Sequence, residues 1–223
     1  MVEKLWWIVH KDLVSECRAR RVWPAMLLLG AVVALILSME MNAVPGEKPR
    51  LVSGFLWLAT FFAGMLALDR SFVSEREEGC WESLRTYPVP PSTVYFAKLA
   101  VNVVALAALQ AVLVPLFAAL SDVPLLAHPA AMLSVSLLGN LGISSLGTLL
   151  GALAAGIRHG ANLTALLVLP AAIPVVLAAT EATSLAVAGD FGSAWWRWIQ
   201  LLGIAAGLFV TAGWVLFDFV IEE

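Results

Sequence analysis

Apolar positions in this chain run together and do not alternate. Stretches such as AVVALILSM from Ala31 and LVLPAAIPVVLAA from Leu167 lack the in-and-out period of a membrane strand, so a closed barrel is excluded. A helix needs about 20 apolar residues to cross a hydrocarbon core of about 30 Å. By that measure the runs predict six spans, at about 22–40, 51–68, 95–120, 130–156, 161–185 and 196–219. The links between them are too short for a separate soluble domain. Residues 1–223 therefore read as a single all-α transmembrane domain.

Ahead of the first span, LWWIVHKDLVSECRARR places Leu5, Ile8, Val9 and Leu13 at helical spacing. An interfacial helix over about 3–20 is expected, with Trp6 and Trp7 at headgroup level. The alternative is one helix continuous with the first span. A basic stretch before an apolar run can also be a secretory signal, but this run ends in LSMEMNA without a small-x-small site. Five more spans follow, so an uncleaved first helix is expected.

Composition agrees with a bilayer: 61% of residues are hydrophobic and 13% charged, and the mean hydropathy is +0.91. Lysine and arginine set the orientation. Lys4, Lys11, Arg18, Arg20, Arg21, Arg70, Arg76, Arg85, Lys98 and Arg158 fall on one predicted side, against Lys48, Arg50 and Arg197 on the other. Both termini and the link between spans two and three are thus expected in the cytoplasm. The net charge of −3 does not bear on topology.

That link holds most of the candidate chemistry. Seven charges lie between Asp69 and Glu82 in DRSFVSEREEGCWESL. Phe72, Val73, Cys80, Trp81 and Leu84 recur at one or two helical turns, with acids between them. Gly79 should divide the segment into two short helices, and Pro88, Pro90 and Pro91 should end it. An amphipathic helix outside the membrane either lies on the lipid or docks into a partner. Anionic lipid would repel Glu75, Glu77, Glu78 and Glu82, which favours a protein partner.

Elsewhere the chemistry is mostly excluded. GxxxxGK[ST], HExxH, GxSxG and CxxC are absent, so no nucleotide cradle, zinc protease site, serine elbow or thiol pair is expected. Cys17 and Cys80 read as inert. His10, His128 and His159 fall in tails or turns, as interfacial residues or as conceivable axial haem ligands. Glu40, Asp69, Glu181 and Asp218 sit near predicted span ends, which argues against a proton-coupled carrier. Asn102, Gln110, Asn140, Asn162 and Thr164 are expected to join helices. Gly147 with Gly151, and Gly203 with Gly207, have GxxxG spacing for packing within the bundle or across a dimer. Pro170 and Pro174 predict a kink in the fifth span, and Pro115 a weaker one in the third.

The stretch LALDRSFVSEREEGCWESLRTYPVPPSTVYFAKL resembles the cytoplasmic segment of the CcmB family, the permeases of cytochrome c maturation ABC transporters known as haem exporter protein B. Asp69, Arg70, Phe72, Glu75, Glu78, Gly79, Glu82, Leu84 and Pro88 match its pattern, while Trp81 stands where leucine is expected. LVLPAAIPVVL resembles a second family stretch with the same two prolines. The resemblance implies an ABC-2-type permease in the bacterial inner membrane, with a coupling element over about 69–91. It implies partners too: a CcmA-type ATPase that holds ATP and magnesium, a second copy of the permease, a CcmC-type haem-handling subunit, a CcmE-type haem chaperone and membrane lipid. No nucleic acid is expected. This chain would bind no cofactor alone and would not be an enzyme, haem being handled by the complex.

The resemblance further implies that Phe72, Trp81 and Leu84 fill a groove on the ATPase, Glu75, Glu78 and Glu82 meet its basic rim, Gly79 permits the bend, and Asp69 and Arg70 close the second span. No histidine pair lies inside the predicted spans to grip haem, which favours mechanical coupling over a haem channel. The rival readings are an ABC-2-type permease exporting lipid, polysaccharide or drug, and a membrane scaffold without an ATPase.

Overall fold

Hydrocarbon offers the backbone no hydrogen-bonding partner, so a long apolar run folds as a helix that satisfies its own amides. A computed structural model describes Val9 and residues 22–40, 47–77, 90–155 and 161–222. Among these are six helices: α1 Val22–Glu40, α2 Lys48–Glu77, α3 Pro91–Ser121, α4 Pro129–Ala155, α5 Ala161–Ala188 and α6 Ser193–Glu222. Five contain a stretch long and apolar enough to cross a membrane: Lys48–Leu66, Pro91–Ser121, Pro129–Gly151, Val168–Ala188 and Ser193–Phe217. The apolar part of α1, Trp23–Met39, is shorter. The chain is a multi-pass membrane protein. The interfacial helix expected over about 3–20 lies outside the described residues, Val9 excepted.

The helices form a ring, α1–α2–α5–α6–α3, around α4. Helix α4 packs against α2, α3, α5 and α6, whereas α1 leans mainly on α2 and α3. Sequence explains why α4 takes the centre. It carries Gly139, Gly142, Ser144, Ser145, Gly147 and Gly151, and small side chains let neighbouring backbones approach closely. A Cβ on Gly139 would run into the ring of Trp57 on α2, and one on Gly142 would lie 3.0 Å from Val175 on α5. Buried alanines at 178, 179, 182 and 206 do the same from the facing helices.

The two GxxxG pairs therefore part company. Gly147 and Gly151 are buried within the bundle. A Cβ added to Gly203 or Gly207 would meet nothing within 4 Å, on an α6 whose apolar stretch is 17% buried against 61% for α4. Ile204, Leu208 and Trp214 share that exposed surface, as lipid-facing residues do.

The apolar stretch of the second span ends at Leu66, ahead of Asp69 and Arg70, while the helix itself runs unbroken through both to Glu77. Charged residues stop a span, but Glu and Arg are good helix formers and no Gly or Pro intervenes before Gly79.

Gly139→Ala should lower stability by about 1–3 kcal/mol, the usual cost of overpacking a filled site. Gly203→Ala and Gly207→Ala should be neutral or stabilising, since alanine is favoured in helix by about 1 kcal/mol. Thermal unfolding of the detergent-solubilised chain separates the two classes.

Candidate functional site

The apolar stretch of α2 ends at Leu66, yet the helix continues. From residue 67 to Glu77 it extends about 16 Å further, at about 1.5 Å per residue. Asp69, Arg70, Phe72 and Glu75 all lie on this extension. The acidic segment is thus joined to a span by continuous helix, with no loop between them at its start. Glu78, Gly79, Trp81, Glu82 and Leu84 lie outside the described residues. The chain is described again at Pro90, which caps α3 ahead of Pro91, and α3 packs back against α2.

Through side-chain hydrogen bonds α2 is tied directly to α5 and α3, and through α3 to α4. Near its start Arg50 donates from Nε to Glu181 Oε1 on α5 at 2.7 Å, forming an ion pair. Two turns on, Trp57 Nε1 donates to Thr183 Oγ1, also on α5, at 2.9 Å. Thr60 Oγ1 then accepts from Gln110 Nε2 of α3 at 3.5 Å. Gln110 Oε1 in turn accepts from Asn140 Nδ2 of α4 at 3.0 Å. Two turns away on α3, Asn102 Nδ2 donates to Thr148 Oγ1 of α4 at 2.9 Å. The buried bonds from Trp57 to Thr148 form a polar seam through the middle of the bundle, and the exposed Arg50–Glu181 pair lies at its edge.

The sequence singled out Asn102, Gln110 and Asn140 as residues that join helices, and the seam uses all three in that way. It missed Arg50, Trp57, Thr60, Thr148, Glu181 and Thr183. Their signal was weak, because pairing between the second and fifth spans depends on which helices are neighbours. Asn140 Oδ1 and Ser144 Oγ, one turn apart on α4, are buried without a protein partner. The side chains of Asn162 and Thr164 lie outside the description.

Pro170 and Pro174 both sit within α5, each exposed on its outer surface. Lacking N–H groups, they leave the carbonyls of Leu166 and Pro170 without the usual helical donor. Pro115 of α3 lines a lateral groove of about 360 Å³ with Gln110 and Asn140. Among the described residues no group of three or more His, Cys, Asp or Glu could hold a metal ion.

A family model described as CcmB protein matches residues 3–219. The heme exporter protein B of Rhodobacter capsulatus is 35% identical over 175 residues, which cover 78% of this chain and 79% of that protein. That of Paracoccus denitrificans is 29% identical over 182 residues, covering 82% and 83%. That of Pseudomonas aeruginosa is 29% identical over 197 residues, covering 84% and 88%.

Buried polar pairs between membrane helices are worth about 0.6 kcal/mol on average and up to about 1.7 kcal/mol. A double-mutant cycle of Gln110→Leu and Asn140→Leu, read by unfolding in detergent, should return a coupling in that range. A coupling of zero would mean that the two amides are not paired in the membrane.

Proposed function

The chain belongs to the CcmB family, and from that premise we propose that it is the permease subunit of an ABC-type haem-export complex in the bacterial inner membrane. Six spans place both termini and the 69–91 segment in the cytoplasm, behind an interfacial N-terminal helix. A CcmA-type ATPase binds there and carries out all the nucleotide chemistry. A second copy of the permease, a CcmC-type haem-handling subunit and a CcmE-type chaperone complete the assembly, and ATP hydrolysis is linked to release of the haem-loaded chaperone.

What supports this reading most is the continuity of α2 from Lys48 to Glu77. Force applied by the ATPase at the acidic end enters a helix, which is stiff along its axis. Phe72, Trp81 and Leu84 fill the ATPase groove, and Glu75, Glu78 and Glu82 meet its basic rim. Asp69 and Arg70 lie along the helical shaft, and Gly79 bends the chain beyond it. Displacement of α2 reaches α5 through Trp57–Thr183 and Arg50–Glu181, and reaches α3 and α4 through Thr60, Gln110 and Asn140. Helix α5 yields at Pro170 and Pro174, where two carbonyls lack helical donors. With α4 filling the centre of the ring, this motion reshapes the outer surface and ends of the bundle.

The test is co-purification of the full chain with a co-expressed CcmA-type ATPase, scored for binding and for stimulated ATP hydrolysis. Glu78→Ala and Glu82→Ala should leave insertion unchanged and alter coupled activity about 5–150-fold, the span of a 1–3 kcal/mol coupling. Ser74→Pro, which breaks the extension of α2, should leave the ATPase bound but unstimulated. Normal stimulation in Ser74→Pro would exclude a rigid shaft. No ATPase binding by inserted wild type would exclude the transporter reading.

A further inference from the structure

On α2, Gly54, Leu58 and Phe62 recur every four residues, and on α5 Leu169, Ile173 and Leu177 do the same. That spacing stacks each set along one side of its helix. The two sets border a lateral groove of about 270 Å³ between α2 and α5. Phe61 and Ala172 are buried in its floor, while Leu58, Phe62, Ile173 and Leu177 on its rims are 41–60% exposed. At one end the helices come close, since a Cβ on Gly54 would lie 3.6 Å from Thr180 Cγ2. One turn before Gly54, Arg50 reaches across to Glu181, so an ion pair stands at the mouth of an apolar groove.

The apolar span of α2 begins at Lys48, which places Lys48 and Arg50 where hydrocarbon gives way to headgroups. Arg50 is 62% exposed although it holds Glu181. A guanidinium carries five N–H donors in a planar fork. Arg50 commits Nε and Nη2 to Glu181 Oε1, which leaves its Nη1 donors for another acceptor. Glu47, next to Lys48, is exposed as well. Two bases and two acids thus gather at this mouth with no net charge. The groove between α3 and α4 is larger, at about 360 Å³. The connection at its end contains Asp122 and His128 but neither lysine nor arginine.

An occupant of the α2–α5 groove must be narrow and apolar, with an anionic acceptor at one end. Along α5 the groove runs from Leu169 to Thr180, about 16 Å at the helical rise. That matches about 15 Å for half a hydrocarbon core. A helix from a second copy, about 10–12 Å across, is too broad to enter between two helices in contact. We propose that this groove is a site for one phospholipid, with an acyl chain lying between α2 and α5 and the phosphate on Arg50 and Lys48. The balanced mouth selects a zwitterionic headgroup of the phosphatidylethanolamine type, whose ammonium donates to Glu47 and Glu181. An anionic lipid would bring a second negative group to the same two carboxylates. The site lies in the leaflet remote from the acidic extension of α2. It needs neither an ATPase nor a cargo, so it stands independently of the haem-export reading.

The test places the full chain in nanodiscs of phosphatidylethanolamine and phosphatidylglycerol, with a trace of phosphatidylethanolamine that carries a photoreactive diazirine in one acyl chain. Mass spectrometry after irradiation maps the labelled residues. Labelling should concentrate at residues 54–62 and 169–180. It should exceed several-fold that at Leu133 and Leu137 of the α3–α4 groove and at Ile204 and Leu208 of α6, which are 57–70% exposed. Arg50→Gln should lower labelling of the groove about 10-fold, as expected when a hydrogen bond to a charged group is lost. Leu177→Trp fills the groove, leaves the Arg50–Glu181 pair in place and should block labelling independently. Constant labelling of Ile204 and Leu208 across the variants shows that each loss is local. Added phosphatidylethanolamine should displace the probe better than phosphatidylglycerol does. Labelling that merely follows exposure, wild-type labelling in both variants or equal displacement by phosphatidylglycerol would overturn the proposal. So would groove residues that cross-link to a second copy in place of lipid.

Discussion

Close approach to α4 is the constraint on which the bundle depends. Four helices can surround a fifth only where the central one gives up side-chain volume. Trp57 shows the consequence most directly. Its ring rests where Gly139 has no Cβ, and it is completely buried. In that position its indole donor meets Thr183, which binds α2 to α5. A glycine on one helix thereby decides the contact between two others. Hydrocarbon offers polar groups no hydrogen-bonding partner, which favours pairing between helices. The same packing that buries Asn102, Gln110, Asn140 and Thr148 brings them together in pairs, Asn102 with Thr148 and Asn140 with Gln110.

The arrangement divides the molecule mechanically. Helices α2, α3, α4 and α5 are joined by small-residue contacts and by the polar seam. Helix α1 lies outside, against α2 and α3, while α6 turns most of its apolar surface outward. The Gly203–Gly207 pair belongs to that outer surface. Its small residues let no neighbour in this chain come close. Sequence spacing alone gives the same GxxxG pattern for α4 and α6, although one is the centre of the fold and the other part of its perimeter.

Much of the fold was legible because hydropathy and length are local properties. The span expected at about 22–40 coincides with α1, and those of α3 to α6 begin or end within a few residues of the helices. The second span ends near where it was expected, at Leu66, but its helix continues to Glu77 for a physical reason: an apolar span ends where charge begins, whereas a helix ends where backbone geometry is interrupted. Asp69 and Arg70 mark the first event and not the second. Neighbour relations were not legible, so Arg50–Glu181 and Trp57–Thr183 could not be foreseen. The role of Asn102, Gln110 and Asn140 could be, since an amide in hydrocarbon must find a partner whatever the topology. For the acidic segment the structure adds the setting of Asp69, Arg70, Phe72 and Glu75, while the residues from Glu78 to Leu84 rest on the sequence.

Magnitudes decide whether a shaft held this way could drive its neighbours. Three polar links join α2 to the rest of the seam: Arg50–Glu181, Trp57–Thr183 and Gln110–Thr60. At about 0.6 kcal/mol each, together they amount to about 2 kcal/mol. That is within the 1–3 kcal/mol typical of coupling between distant sites. Such links are strong enough to bias which arrangement of α2 and α5 is populated. They are also weak enough to be remade when α2 moves, so the bundle need not come apart. Large apolar contacts such as Trp57 on Gly139 set a different limit. They tolerate sliding poorly, because a ring that leaves its glycine meets a backbone that carries side chains. On the proposed mechanism, motion is therefore confined to the inner end of α2 and the proline-containing part of α5, while the central contact with α4 acts as the pivot.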